Sequence, residues 1–227
     1  MGRIINPRGT SGAGKTWLVR EIMKAYCNGG AAAVPLRRDG RRRPLGCRLT
    51  PARGGSPLAV VGHYGGTRGG TDTIPLGDGG LDEAFRLASE LAGDGCDVLM
   101  EGLQLGGEVE RTAALARAQQ ARGGALHVFC LDAPLDRCVR NVVTRRRAGR
   151  AVRPAIERTA RAGHDALAAA CEGLRRSGVE VEWLNTPAAL RRTLALLGFD
   201  GGRSGAGSDG ARLEAPSSGA LATAGAA

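Results

Sequence analysis

The octapeptide Gly9-Thr10-Ser11-Gly12-Ala13-Gly14-Lys15-Thr16 has the residue types and spacing needed to hold phosphate. Its glycines let the backbone turn successive N–H groups toward one point, where a following helix adds the positive end of its dipole. Lys15 is placed to reach the terminal phosphates of ATP, and the Thr16 hydroxyl to ligate Mg²⁺. Every fixed position of G-x-x-x-x-G-K-[ST] is met, between a short apolar strand, Arg3-Ile4-Ile5-Asn6, and an amphipathic helix. A glycine-rich turn without nucleotide is the bland alternative, and the flanking elements argue against it.

Two carboxylates and a group of arginines could complete phosphoryl transfer. Glu101 closes the apolar run Asp97-Val98-Leu99-Met100 and, at the carboxyl end of a parallel strand, should face the same crevice as the loop. There it can hold the water shell of Mg²⁺ or orient an acceptor. Asp72 lies in a second glycine-rich stretch and is the candidate to take the proton of an acceptor hydroxyl, with a simple turn cap as the competing reading. In the same stretch Tyr64 could stack on a base, and His63 and Arg68 could hold its edge or a phosphate. Arg140, Arg145, Arg146, Arg147 and Arg150 follow Leu131-Asp132-Ala133-Pro134-Leu135 and could neutralise transition-state charge from a lid. Arg140 and Arg146 are taken as its catalytic candidates, although no single arginine is marked out.

These residues need a scaffold, and the periodicity supplies one. Helical spacing runs through Leu18, Val19, Ile22, Met23 and Tyr26 to a stop at Asn28-Gly29-Gly30. Residues 31–56 read as an irregular hairpin or flap with a turn at Arg38-Asp39-Gly40, Pro44 to Leu49 forming one arm. Leu58 to Gly62, Asp97 to Met100, Leu126 to Leu131 and Val179 to Leu184 read as strands. Helices are expected at Leu81 to Leu91, around 108–122, from Leu135 toward Arg147, onward through Arg176, and at Pro187 to Leu197. The pattern predicts an α/β fold, a doubly wound parallel sheet of about five strands with an arginine-rich lid near 134–153. Residues 1–200 form the expected domain. The Gly/Ser/Ala-rich remainder, 201–227, is expected to be disordered.

Net charge is +10, and Lys15 and Lys24 are the only lysines. Arginine concentrates at 37–53 and 134–161, which suits a polyanionic partner, although a GC-rich genome gives the same skew. The six cysteines form no CxxC pair, and several lie in apolar runs, so buried reduced thiols are expected rather than disulfides or a zinc site. No stretch approaches the roughly 20 apolar residues of a membrane span. With no secretory leader evident, the expected location is cytoplasmic, with no membrane partner. The sequence leaves oligomeric state open.

The loop, the Leu99-Met100-Glu101-Gly102 strand end and the Leu131-Asp132-Ala133-Pro134-Leu135 run with its arginines resemble the P-loop kinases of the nucleoside and nucleotide kinase superfamily, over about residues 3–198. The segment Gly62-His63-Tyr64…Gly69-Gly70-Thr71-Asp72-Thr73-Ile74 is similar to a narrower group, the bacteriophage kinases that include the 5-hydroxymethyluridine DNA kinases. That resemblance implies ATP-dependent phosphorylation of a hydroxymethyl group on a modified pyrimidine in DNA, a step of thymidine hypermodification in the host cytoplasm. Lys15 and Thr16 carry over as the ATP and Mg²⁺ contacts, and Asp72 as an acceptor-side residue. No Asp-Arg-Tyr/His/Phe or Glu-Arg-Ser triplet of the free-nucleotide branches is present. A kinase of a free nucleoside, nucleotide or other small alcohol is the alternative, and a nucleic-acid-associated ATPase a further one.

Overall fold

The structure, a computed structural model, describes residues 1–41, 43–52, 55–65 and 69–199. The expected tail 201–227, Arg68 and the Asp200 end of the domain therefore lie outside the described residues. Among the described residues seven strands form one sheet in the order β2-β3-β4-β5-β1-β6-β7. They are β1 (Ile4–Arg8), β2 (Ala32–Leu36), β3 (Gly46–Thr50), β4 (Leu58–Val61), β5 (Asp97–Met100), β6 (Leu126–Leu131) and β7 (Val181–Leu184). β4, β5, β1, β6 and β7 are mutually parallel, which accounts for the five strands expected. The two additional strands come from the basic segment 31–56. β2 and β3 form an antiparallel hairpin that pairs with β4, as short Ala/Val/Pro and Cys/Arg/Leu runs without obvious alternation.

Buried strands alternate their side chains between two helical layers. Ile5, Leu58, Val60, Leu99 and Phe129 face α1 (Lys15–Asn28) and α6 (Thr186–Leu196), meeting Leu18, Val19, Ile22 and Ala189. Ile4, Ala59, Val61, Val98 and Met100 face the other way, onto Ala84, Phe85, Ala88 and Leu91 of α2 (Gly80–Gly93) and Leu115 of α3 (Glu110–Ala121). Val128 and Cys130 meet Leu167, Cys171 and Leu174 of α5 (Arg153–Arg176) on that same face. Cys130 and Cys171, both buried, bring their sulfurs together there, with Cα atoms 7.4 Å apart, beyond the usual span of a disulfide. The buried stripe of α5 sets Cys171 directly over β6. Cys27, Cys47, Cys96 and Cys138 are free.

All parallel strands end at one edge, and the loops that follow build a single crevice. The lid is an antiparallel pair, α4 (Leu135–Arg146) and the first half of α5, joined through a short turn at Arg150–Val152. Val139 and Val142 zip against Ile156 and Ala160, with Leu135, Val143 and Ala148 at the margins. Among the described residues no helix is long and apolar enough to cross a membrane.

Ile156 is 4% exposed in this zipper. Ile156→Ala should cost about 2–5 kcal/mol, the usual range for emptying such a site. Urea denaturation reads the loss, and hydrogen exchange should quicken first in α4. An unchanged midpoint would mean that the lid is not packed through this residue.

Candidate active site

The phosphate loop is held from behind by its own side chains and by three neighbouring elements. Lys15 Nζ donates to Gly9 O (2.5 Å) and Thr10 O (3.3 Å). Asn141 Nδ2 of α4 donates to Gly12 O (2.8 Å), and the Thr186 hydroxyl at the start of α6 donates to Ala13 O (3.2 Å). The Thr10 hydroxyl donates to Ala160 O of α5 (3.2 Å). Gly12 has φ 87°, and a Cβ there would lie 2.3 Å from Cys138 O, so α4 can seat only on a glycine. The loop's carbonyls are thus occupied by these donors. The first-turn amides of α1, which have no acceptor within the helix, face the cleft.

That cleft has a volume of about 830 Å³ and is lined by Ser11, Gly12, Gly14, Lys15, Thr16, Trp17, Arg20, Gly69, Asp72, Glu101, Leu103, Gln104, Asn141, Arg145 and Arg146. It brings together the expected Lys15, Thr16, Asp72, Glu101 and Arg146. Arg140 is not among its lining residues. On α4, Asn141 and Arg145 lie one turn apart on the cleft side, while Arg140 is exposed on another face. Arg145 Nη2 donates to the Ser11 hydroxyl (3.1 Å), which makes it the lid arginine bonded to the loop itself. The i, i+4 spacing of Asn141 and Arg145 was the available signal for this pair.

Glu101 is 2% exposed and receives the Thr16 hydroxyl on Oε1 (3.0 Å) and the Tyr64 hydroxyl on the same oxygen (3.3 Å). Burial pushes its carboxyl above the usual carboxylate range, with Lys15 and Thr16 opposing the shift. Burial likewise lowers the Lys15 ammonium, and Glu101 and Asp72 oppose that shift. Each charge therefore depends on the other to stay in the cleft. The Thr16 hydroxyl and Glu101 carboxylate together offer hard oxygen donors beside the phosphate loop, a set that fits Mg²⁺.

Asp72 is exposed at the cleft and sits in a 3₁₀ turn, Thr71–Thr73. Its Oδ2 accepts from Leu103 N–H (2.6 Å) and its Oδ1 from Gln104 N–H (3.2 Å). Thr71 N–H donates to Glu101 O (2.7 Å), so three hydrogen bonds fasten the loop after β4 to the loop after β5. Gly70 permits this approach, since at φ 83° a Cβ would stand 2.2 Å from Glu101 O. Tyr64 does not line the cleft. Its ring packs against the core and its hydroxyl serves Glu101, which removes it as a base-stacking face. His63 is also outside the lining and donates its backbone N–H to Thr73 Oγ1 (2.8 Å).

The sequence reading missed Trp17, Leu103 and Gln104. Trp17 and Leu103 are 48% and 55% exposed, large uncharged groups in a cleft otherwise rich in charge. It also missed Arg8, which is fully buried at the end of β1. Arg8 donates to Asn6 Oδ1 (2.8 Å), Glu108 O (2.7 Å) and Thr112 Oγ1 (2.6 Å). Burial lowers its pKa to about 10. A terminal arginine on a strand gives no hint in one dimension that it turns inward.

The buried Glu101 makes stability depend on pH in a definite direction. An unfolded glutamate titrates near about 4.3. With the folded value raised, the native state binds the extra proton between the two, so stability falls as pH rises through that window. In metal-free buffer, Glu101→Gln should lack this fall, and the Tm difference between variant and wild type should move in the variant's favour from pH 4 upward. A constant difference would mean that Glu101 is not held out of water.

No protein-family model matches the chain. It superposes on a gluconokinase from Sinorhizobium meliloti 1021 with a TM-score of 0.43 and 14% identity, covering 87% of this chain and 92% of that one. A superposition that loose says nothing of substrate. A curated relative, a 5-hmdU DNA kinase of Pseudomonas phage PaMx11, is 36% identical over 180 residues, 79% of this chain and 88% of its own length. With a relative at that identity along most of both chains, the chain belongs to the family of the 5-hmdU DNA kinases.

Proposed function

We propose that this chain transfers the γ-phosphoryl group of ATP to the hydroxymethyl group of 5-hydroxymethyluracil in DNA, a step of thymidine hypermodification in the cytoplasm of an infected host. One observation carries the reading. The phosphate loop and the exposed carboxylate of Asp72 share a cleft that is charged at the loop end, and its other loops add the uncharged side chains Leu103 and Gln104. A triphosphate matches the charged end. A pyrimidine ring with donor and acceptor edges suits an apolar side chain beside a carboxamide.

The residues take the following roles. The loop amides and Lys15 hold the β- and γ-phosphates, and Arg145 and Arg146 on the lid meet charge that spreads over the transferring group. Thr16 and Glu101 would hold Mg²⁺, which would supply positive charge against that of the phosphates. The acceptor oxygen forms a bond to the γ-phosphorus as the bond to the β–γ bridging oxygen breaks, and ADP leaves. Asp72 accepts the hydroxyl proton. Each of its oxygens gives one lone pair to a backbone amide and keeps another. Residues 1–200 would suffice for this chemistry, the remainder 201–227 taking no part.

The test is transfer of labelled γ-phosphate to duplex DNA containing 5-hydroxymethyluracil, with the free nucleoside and nucleotide offered alongside. Label is expected in the DNA. Label confined to the small molecules would make the acceptor a free nucleoside or nucleotide, and ATP consumption with no label would make the protein an ATPase. Lys15→Ala should lower turnover by about 10²–10³ or more with the fold retained, the loss typical of removing a transition-state charge contact. Asp72→Asn should lose about 10²–10⁴ in kcat if the carboxylate is the base, with loss of the acid limb of the pH profile. A variant that changes only the KM for DNA would reduce Asp72 to a strut for Leu103 and Gln104.

A further inference from the structure

The two concentrations of arginine are treated differently by the fold. The first lies on the β2–β3 hairpin, where acids from 78–83 meet Arg38 and Arg41, while Arg37 and Arg43 are exposed and form no ion pair among the described residues. Arg41 pairs with Asp78 (2.6 Å) and Arg38 with Glu83 (3.1 Å), which also holds Arg86 (2.8 Å). These pairs enclose a hollow of about 420 Å³ whose walls carry both signs, with Asp39, Asp78 and Glu83 opposite Arg38 and Arg41. A phosphate arriving there would have to displace carboxylates already in place.

The second concentration stands on the lid, and most of it has no such partner. Within 134–161 the ion pair among described residues is Arg153 with Glu157 (2.8 Å). Arg140, Arg147, Arg150 and Arg158 are exposed, form no ion pair among the described residues and do not line the ATP cleft. They come from four successive pieces of the lid: the middle of α4, its C-cap, the 150–152 turn and the first half of α5. Because the apolar zipper occupies the inner faces of both helices, these exposed side chains are directed outward. Like charges crowded on one small element repel, and a run of phosphates relieves that repulsion.

We propose that the DNA backbone is held by the outer face of the lid, through Arg140, Arg147, Arg150 and Arg158, and that the hairpin tip is not part of the DNA track. The inference rests on the DNA-substrate reading above. It makes the lid a two-sided element, with Arg145 and Arg146 turned to ATP and the outer arginines to the polynucleotide. Placement of the target base then depends on lid position.

The test uses the full chain and a labelled duplex containing 5-hydroxymethyluracil, with affinity measured across a salt series. Each phosphate neutralised contributes about 0.9 to the slope of log affinity against log salt. Arg147→Gln/Arg150→Gln should therefore flatten the slope by about 2, with the KM for ATP unchanged. Arg37→Gln/Arg38→Gln on the hairpin should leave the slope at the wild-type value. Circular dichroism of each variant checks that it is folded. The proposal is overturned if the hairpin pair flattens the slope and the lid pair does not, or if the lid pair raises the KM for ATP with DNA binding intact. Wild-type protein that binds and labels no DNA sinks the substrate reading itself, and this inference with it.

Discussion

A phosphate site built from main-chain amides requires that the carbonyls of the same residues be bonded elsewhere. A peptide flips easily between presenting its N–H and its C=O, and an unbonded buried carbonyl costs free energy. In this chain Gly9, Thr10, Gly12 and Ala13 give their carbonyls to Lys15, Asn141 and Thr186. The donors come from α1, α4 and the start of α6, and α5 adds the Thr10–Ala160 contact. The loop's shape is therefore a property of the whole carboxyl edge of the sheet. The lid that closes over the loop and the lid that shapes it are the same helix.

Glu101 extends that dependence to the acceptor side. A carboxylate 2% exposed is tolerable only with donors on it, and it takes Thr16 from the phosphate loop and Tyr64 from the loop after β4. Its main-chain carbonyl takes Thr71 N–H, which sets the 71–73 turn and with it Asp72. Asp72 in turn orders Leu103 and Gln104. One strand-end residue thus links the ATP half of the cleft to the half that would meet the acceptor. For that reason the carboxyl group that would hold Mg²⁺ and the one proposed to take the proton are two turns of one bonded chain.

Much of this arrangement was legible in the residues. The phosphate loop declares itself because its chemistry is local, with spacing, glycines and a lysine all within eight positions. The parallel strands and six helices follow from apolar periodicity, and strand order fixes Glu101 beside Thr16. What could not be read depends on partners distant in sequence. Segment 31–56 reads as an irregular hairpin or flap, but its joining to the sheet through the β3–β4 pairing does not show in its own pattern. Tyr64 looked like a stacking ring because its glycine-rich context suggested exposure, yet the core and Glu101 take it. Cys130 and Cys171 are 41 residues apart and meet only when α5 is laid over β6. Arg140 and Arg145 are equivalent in composition and differ only in helical phase relative to the loop.

That phase difference also separates biased composition from design. A GC-rich genome would place arginine without regard to what stands nearby, and a fold that merely tolerated the excess would leave it evenly solvated. The arginines here have been sorted. Arg8 is buried with three acceptors, Arg3 with Asp97 ties the amino end of the sheet, and Arg38 and Arg41 are closed by acids. Arg145 is bonded to the phosphate loop. On the outer face of the lid, exposed guanidinium groups without an ion pair among the described residues are held close together by an apolar zipper and carry a repulsive cost. The cost is understandable on an element whose ligand is itself a line of charges.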